Sequence, residues 1–261
     1  MQTAARSEVV EAATQLARCQ RLLVLTGAGS SADAGVPTFR GEGGLWNDRR
    51  VEDLASPEGF ANDREGVWTW YRERRLQVAG CQPHPGQRAL ALLQRHLTQP
   101  NQVLVATTNE DDLLDRAGVK GVIHLHGSLF DTQCSAECGW IARDDADNAL
   151  SFLPCPKCGA PSRPGSVWYG ETVPRSGLSQ IAAFDPDGCL VVGLSCMVQP
   201  VAGIPPELVN HGCPVVEINP SETPISPVVL TSIRSTAKYV LPILVDLLTS
   251  HTVRDQTRRL T

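Results

Sequence analysis

Four of the cysteines in this 261-residue chain stand in two close pairs, Cys134-x3-Cys138 and Cys155-x2-Cys158. Each pair can bite one cation, and four thiolate sulfurs complete the tetrahedron that Zn²⁺ accepts. Four protein ligands leave no position open for water, so the expected zinc is structural. A second set of chemistry-bearing residues is Gly27-Ala28-Gly29-Ser30-Ser31-Ala32, which follows the apolar run Leu22–Leu25 and meets the dinucleotide pattern with alanine in third place. Close glycines let the backbone approach a pyrophosphate, and the next helix N-terminus supplies N–H donors. Glycine that serves only to turn the chain is an equal reading of so short a motif. Third, His124-Leu125-His126-Gly127 closes a predicted strand, and strand alternation sends both imidazoles to one side. At the C-terminal end of an α/β strand such a side chain faces the crevice where ligands bind, and a neutral imidazole there is a candidate general base. The polar stretch Thr107-Thr108-Asn109-Glu110-Asp111-Asp112 is placed to bring Asn109 and Asp111 to the same crevice.

The elements that must position these residues follow from periodicity. Ser7 to Arg18 reads as a capped amphipathic helix, and Leu22–Leu25 as the strand that feeds the glycine loop. Gly41 to Gly44 imply a mobile loop, beyond which short helical pieces carry Trp46, Phe60, Trp68, Trp70 and Tyr71. Pro83 and Pro85 open a helix with Leu90, Leu92, Leu93 and Leu97 at helical spacing. Val103–Val105, Val122–Ile123, Leu190–Val192 and Val215–Ile218 are short apolar strands, and Pro205–Asn210 is helical. Strands alternating with helices argue for an α/β fold with a largely parallel sheet. Asp131 to Pro164 breaks the alternation with Cys, Pro, Gly and Asp, and reads as an inserted small module. A dehydrogenase needs a second strand ending in a ribose-binding acid about 20 residues after its glycines. Val36-Pro37-Thr38-Phe39-Arg40-Gly41 is not such a strand, which excludes ordinary hydride transfer.

Composition narrows the field further. At roughly 150 residues per domain the length suits one large domain with a small satellite. A 42% hydrophobic, 20% charged chain is neither disordered nor fibrous. The net charge of -5 disfavours nucleic acid and anionic lipid as partners, and Asp144, Asp145 and Asp147 beside the cysteines are expected to repel phosphate. Apolar runs fall short of a membrane span. Nine cysteines are an odd count, which together with an N-terminus lacking a secretory or clear transit pattern points to a reducing compartment, the cytoplasm, with a mitochondrial site as the alternative. The expected state is a monomer.

In order along the chain, Gly27 to Arg40, Thr107 to Asp111, His126-Gly127-Ser128, the two cysteine pairs and Val167-Trp168-Tyr169-Gly170-Glu171 resemble the sirtuin family of NAD-dependent protein lysine deacylases. The resemblance runs from about Leu22 to Asn219. It implies a Rossmann-like parallel sheet with helices on both faces, assembled from residues 1–41, 85–130 and 167–250. A cofactor loop and helical module would span 42–84, a zinc module 131–166, and a polar tail 251–261. It also implies that NAD and an acyl-lysine peptide enter the cleft between the large domain and the zinc module from opposite sides. Gly27, Ala28 and Gly29 would hold the pyrophosphate, with Phe39 and Arg40 lining the cofactor loop. Thr108, Asn109 and Asp111 would surround nicotinamide and its ribose, while Gly193, Ser195 and Asn219 would contact the adenosine half. Gly170 and Glu171 would line the substrate groove, and His126 would be the general base. In the family's reaction the acyl oxygen attacks the nicotinamide ribose, and nicotinamide leaves. The histidine then deprotonates a ribose hydroxyl that attacks the imidate, yielding lysine and O-acyl-ADP-ribose.

Two positions depart from the family pattern: Thr108 stands where glutamine is usual and Glu110 where isoleucine is usual. Both could weaken the nicotinamide pocket, so an NAD or ADP-ribose binding module with little turnover is one alternative. Tyr71 and Arg74, spaced i, i+3, project from one helix face and resemble the pair of the subclass that removes succinyl, malonyl and glutaryl groups, as does the small Ala55. Independently of any family, a guanidinium grips a carboxylate bidentately and a phenol adds a donor. The alternatives are a plain deacetylase, with an exposed helix whose Arg72, Arg74 and Arg75 are solvated, and a zinc ribbon that binds nucleic acid.

Overall fold

A computed structural model describes residues 3–38, 50–97, 102–144 and 152–250. Phe39, Arg40, the Gly41–Gly44 loop, Trp46, Asp145, Asp147 and the 251–261 tail lie outside the described residues. The strands are β1 (Leu22–Thr26), β2 (Val103–Thr107), β3 (Ile123–His124), β4 (Gly127–Cys134), β5 (Ile141–Arg143), β6 (Ser162–Ser166), β7 (Gly188–Val192), β8 (Val215–Ile218) and β9 (Thr231–Ile233). The helices are α1 (Thr3–Leu16), α2 (Gly29–Ala32), α3 (Val51–Leu54), α4 (Pro57–Asn62), α5 (Arg64–Gly80), α6 (Pro85–His96), α7 (Leu113–Arg116), α8 (Arg175–Phe184), α9 (Ile204–Asn210) and α10 (Ala237–Thr249).

Every residue of β1, β7 and β8 is buried, as expected of strands covered on both faces. They form the centre of a six-stranded sheet in the order β3-β2-β1-β7-β8-β9, all parallel. Alternation splits their side chains between two cores. Leu22, Val24, Leu190, Val192 and Val216 pack with α1, α6 and α10, whereas Leu23, Leu25, Cys189, Val191 and Val215 pack beneath α8 and α9. The chain runs outward from β1 to β3, then returns to β7 on the other flank of β1. That reversal makes a crevice at the C-terminal ends of β1, β2, β7 and β8, the usual place for a ligand in such a sheet.

Two expectations shift here. Helix α1 already runs from Thr3, so Ser7 lies inside it rather than capping it. The edge strand β9 was not anticipated, because Thr231-Ser232-Ile233 has no apolar run of its own and is strand only through pairing with β8. Among the described residues no helix is long and apolar enough to cross a membrane.

A second, three-stranded antiparallel sheet, β5-β4-β6, begins at Gly127, ahead of the boundary suggested by composition at 131. It shares a third core with α3–α5 through Leu54, Phe60, Trp68, Tyr71, Leu129, Phe130 and Trp168. One buried cation ties the two layers. Arg75 donates from Nε to the Leu129 carbonyl (2.6 Å), from Nη1 to Asp144 (2.8 Å) and from Nη2 to the Asp131 carbonyl (2.9 Å). This corrects two readings: Arg75 is not a solvated helix charge, and Asp144 is not a surface charge that repels phosphate. Arg75→Leu strands a carboxylate whose side chain is 2% exposed, and breaking such a pair costs about 3–5 kcal/mol. Chemical denaturation of Arg75→Leu and of an Arg75→Leu/Asp144→Leu double variant checks this. A loss equal in both would show that the stranded charge is not the cause.

Candidate active site

The loops at the crevice brace one another. Thr26 Oγ1 donates to Thr107 Oγ1 across β1 and β2 (2.8 Å), and Thr107 Oγ1 accepts the Asn109 N–H (3.0 Å), which turns the chain inward. Asn109 is buried, its amide donating to the hydroxyls of Ser30 (3.2 Å) and Ser31 (3.1 Å). Asp111, also buried, accepts the Leu113 N–H at 3.1 Å and lies against the Ser31 hydroxyl. Burial pushes its carboxyl above the usual range. Asn109 and Asp111 are thus brought together against the glycine loop, as expected.

The glycine loop itself has a different reason for its composition. A Cβ on Gly27 would sit 2.7 Å from Leu194 Cα, one on Gly29 2.9 Å from Gly193 Cα, and one on Gly193 2.3 Å from Ser30 N. These glycines let the loops after β1 and β7 cross in contact. The crossing also consumes donors: the N–H groups of Gly27, Gly29, Ser30 and Ser31 donate to carbonyls of Val192, Gly193, Gly27 and Ala28. The expected row of free helix N-terminal donors is therefore corrected, and α2 is a single turn. What the crossing leaves at the rim is the half-buried Ala28 and the exposed Ser195. Asn219 holds the far side, donating to the Leu194 carbonyl (3.1 Å) while its Oδ1 accepts the Ser221 N–H (3.2 Å). Beneath it Glu217, wholly buried, accepts from Ser226 (2.6 Å), Ser232 (2.5 Å), Thr223 and Arg234 (3.3 Å). The sequence reading missed this anchor; the signal was an acid inside an apolar strand followed by a Ser/Thr-rich loop.

The two histidines part company. Strand β3 stops at His124, whose ring meets Asp115 (3.0 Å) and the Asn109 carbonyl (3.3 Å), a pairing that raises its pKa despite burial. His126 lies beyond the strand end, half-buried, with its ring against the Thr108 carbonyl. Burial lowers its pKa below that of free histidine and outweighs the opposite pull of that carbonyl, so the ring is neutral at pH 7.

Tyr71 and Arg74 do share a face of α5, and both are buried. The Tyr71 hydroxyl accepts from the Trp168 indole N–H at 2.9 Å, and the next residue's N–H, that of Tyr169, donates to the Ala55 carbonyl at 2.9 Å. Arg74 lies 5.1 Å from the centre of the Trp70 ring and lines a narrow cavity with Asn109, Glu110, Asp111, Val78 and Leu129. The 168–171 turn is fixed by Arg163, which stacks on Trp168 at 3.6 Å and forms a two-pronged ion pair with Glu171. Glu171 also accepts the Trp168 N–H (2.8 Å), so its carboxylate is a brace for the turn, whereas Gly170 is exposed. Arg163 is another residue the sequence reading missed, since nothing local marks an arginine on a strand as an anchor.

The four cysteine sulfurs lie within 4.8 Å of one another, with Cys134–Cys158 at 3.4 Å and Cys138–Cys155 at 3.5 Å. Zinc–sulfur bonds of about 2.3 Å fit that spacing. The N–H groups of Ala136 and Lys157 donate to the Cys134 and Cys155 sulfurs (3.3 and 3.4 Å). The residues fit one structural zinc ion and leave no ligand position for water.

Residues 27–200 match the family model described as the Sir2 family. The chain belongs to the Sir2 family. Among the relatives of this Sir2 chain, an NAD-dependent protein deacylase of Archaeoglobus fulgidus is 41% identical over 232 residues, covering 88% of the chain and 94% of that protein. A Sir2 homologue solved as its NAD complex superposes with a TM-score of 0.83 at 39% identity, over 95% of this chain and 94% of its own. A variant Sir2 homologue solved with 2′-O-acetyl ADP-ribose gives a TM-score of 0.83 at 39% identity, over 95% and 97%.

Proposed function

We propose that this chain is an NAD-dependent protein lysine deacylase that releases nicotinamide and O-acyl-ADP-ribose, and that it prefers succinyl, malonyl and glutaryl groups over acetyl. Sir2 membership and the deacylase, NAD and acetyl-ADP-ribose relatives support the reaction class. The observation that carries the acyl preference is the burial of Tyr71 and Arg74 on one face of α5, in the core shared with Ala55. Arg74 is only 5% exposed, and a guanidinium held on that face can grip an acyl carboxylate through two parallel hydrogen bonds.

NAD, when bound, supplies the electrophilic ribose carbon and the ADP-ribose acceptor. The residues at the crevice are placed beside its two halves. Ala28, Gly193, Ser195 and Asn219 would hold the pyrophosphate and adenosine, and Thr108, Asn109 and Asp111 the nicotinamide end. His126, neutral at pH 7, takes the proton from a ribose hydroxyl. Its ring lies against the Thr108 carbonyl at the mouth of the crevice, within reach of the nicotinamide ribose side. Tyr71 and Arg74 seat the acyl tail, and the turn at Trp168–Glu171 presents the groove for the acyl-lysine side chain of a protein substrate.

Arg74→Met is expected to lower kcat/KM for a succinyl-lysine peptide about 10- to 150-fold, the value of a hydrogen bond to a charged group, while weak deacetylation persists. Mass spectrometry of an acyl-peptide panel with NAD reads both. Equal loss on succinyl and acetyl peptides would remove the assigned role. One observation favours the second reading, a plain deacetylase: Glu110 places a carboxylate in the same cavity as Arg74.

A further inference from the structure

Glu110 is the residue in this pocket that no catalytic role absorbs. Its backbone cannot withdraw, because its carbonyl accepts the Leu129 N–H at 2.8 Å and ties the loop after β2 to β4. It lines the same narrow cavity as Arg74, Val36, Pro37, Val78, Asn109 and Asp111. The charges that face it among the described residues are Arg74 and the Tyr71 phenol from α5 and Asp111 from its own loop, with the Ser166 hydroxyl of β6 beside it. Arg74 is the strongest attraction acting on Glu110, and Glu110 the strongest acting on Arg74.

We propose that Glu110 is a specificity-determining residue: its carboxylate acts as a resident counter-ion for Arg74 that competes with the carboxylate of an acidic acyl group. The inference rests on the acid-acyl reading above. An acetyl tail brings no charge and leaves the attraction between Glu110 and Arg74 across their shared cavity undisturbed. A succinyl, malonyl or glutaryl tail brings a second carboxylate to one guanidinium in a confined space, where two like charges cannot both stay ionised at low cost. Glu110 must then take up a proton. Burial already pushes its carboxyl up to about 7. Below that pH the carboxyl is neutral and Arg74 is released to the acyl group; above it the internal pair holds. The succinyl-to-acetyl preference should therefore rise as pH falls through neutrality. Taking the ratio of two substrates cancels the loss of His126 as a base, which affects both.

The test compares wild type, Glu110→Gln and Arg74→Met. The readouts are the ratio of kcat/KM on succinyl- and acetyl-lysine peptides and, without NAD, calorimetric binding of the succinyl-lysine peptide in buffers of different ionisation enthalpy. Glu110→Gln is expected to raise the succinyl-to-acetyl ratio about tenfold, the order of one nearby opposite charge removed from a guanidinium, and to flatten its pH dependence. The wild type is expected to take up protons on binding the succinyl peptide, and Glu110→Gln to take up none. An unchanged or lower ratio in Glu110→Gln, or proton uptake that persists in it, overturns the competition. The third protein separates the two readings. If Arg74→Met still collapses the ratio, the acid-acyl pocket stands and only the Glu110 role is lost; if it does not, the pocket falls with it.

Discussion

His126→Ala is expected to lower deacylation by about 10²- to 10⁴-fold, the usual contribution of a positioned general base. The wild-type rate is expected to fall on the acid side with a midpoint below 6.5, the value of a free imidazole. The sign follows from the environment. Burial penalises the charged ring and lowers its pKa, so the base form persists to lower pH than in free histidine. On an acetyl-lysine peptide, which makes no demand on Arg74, only protonation of that ring removes the base, so activity is lost as pH falls through the lowered value and is flat above it. The ring does not brace the fold. Its backbone carbonyl accepts the Val167 N–H (2.8 Å), a bond that alanine retains. Thermal unfolding of His126→Ala should accordingly match wild type, and acyl-peptide binding measured without turnover should survive. A variant that keeps its rate, or an acid limb above 6.5, would show that a different group takes the proton. His124 is the internal control. Asp115 raises its pKa, and it lies against the Asn109 carbonyl, so His124→Ala should act through the nicotinamide loop and leave the acid limb in place.

The parts of the fold and site legible in the sequence are those whose cause is local. Leu22–Leu25 and Leu190–Val192 are strands because continuous apolar runs bury both faces. The four cysteines announce their cluster by spacing. Gly27 and Gly29 are legible as a required close approach, but not what approaches: Gly193 and Leu194 are more than 160 residues away in sequence, and only the sheet order brings them there. The residues that escaped are charges that end up buried. Arg75 meets Asp144 69 positions on, and in isolation each reads as surface. Arg163 escapes for the same reason, since a buried ion pair has no one-residue signature; Glu171 is legible as a motif residue but not as the partner of Arg163. Tyr71 and Arg74 were found because helical spacing placed them on one face. The carboxylate of Glu110 beside them appears in the sequence only as a departure from the family pattern, and its partner is visible only once α5 and the loop after β2 are packed.

Removal of zinc with a chelator is expected to release one ion per chain and to unfold the small sheet, lowering both thermal stability and activity. The cysteine segment lacks the means to hold itself together otherwise. Strand β5 has three residues, two of them exposed, and the loop carrying Cys155 and Cys158 is closed on itself by an isolated bridge between Pro154 and Pro161. Structural zinc contributes about 10–16 kcal/mol in small zinc-binding peptides, far more than such contacts can replace. The loss should not stop at the cysteines. Cys134 ends β4, the strand that also carries Leu129, Asp131 and Thr132, three of the partners of Arg75. When β4 loosens, Arg75 loses acceptors inside a core that offers no water, and α5, which carries Tyr71 and Arg74, loses its backing. Cys134→Ser should therefore lower succinyl-peptide binding even though no cysteine lies among the residues lining the cavity at Arg74. Zinc content by atomic emission and peptide binding by calorimetry check the two halves. Protein purified without zinc yet fully folded would refute the structural role, and a zinc-free Cys134→Ser that binds acyl peptide normally would break the link from metal site through β4 to the acyl pocket.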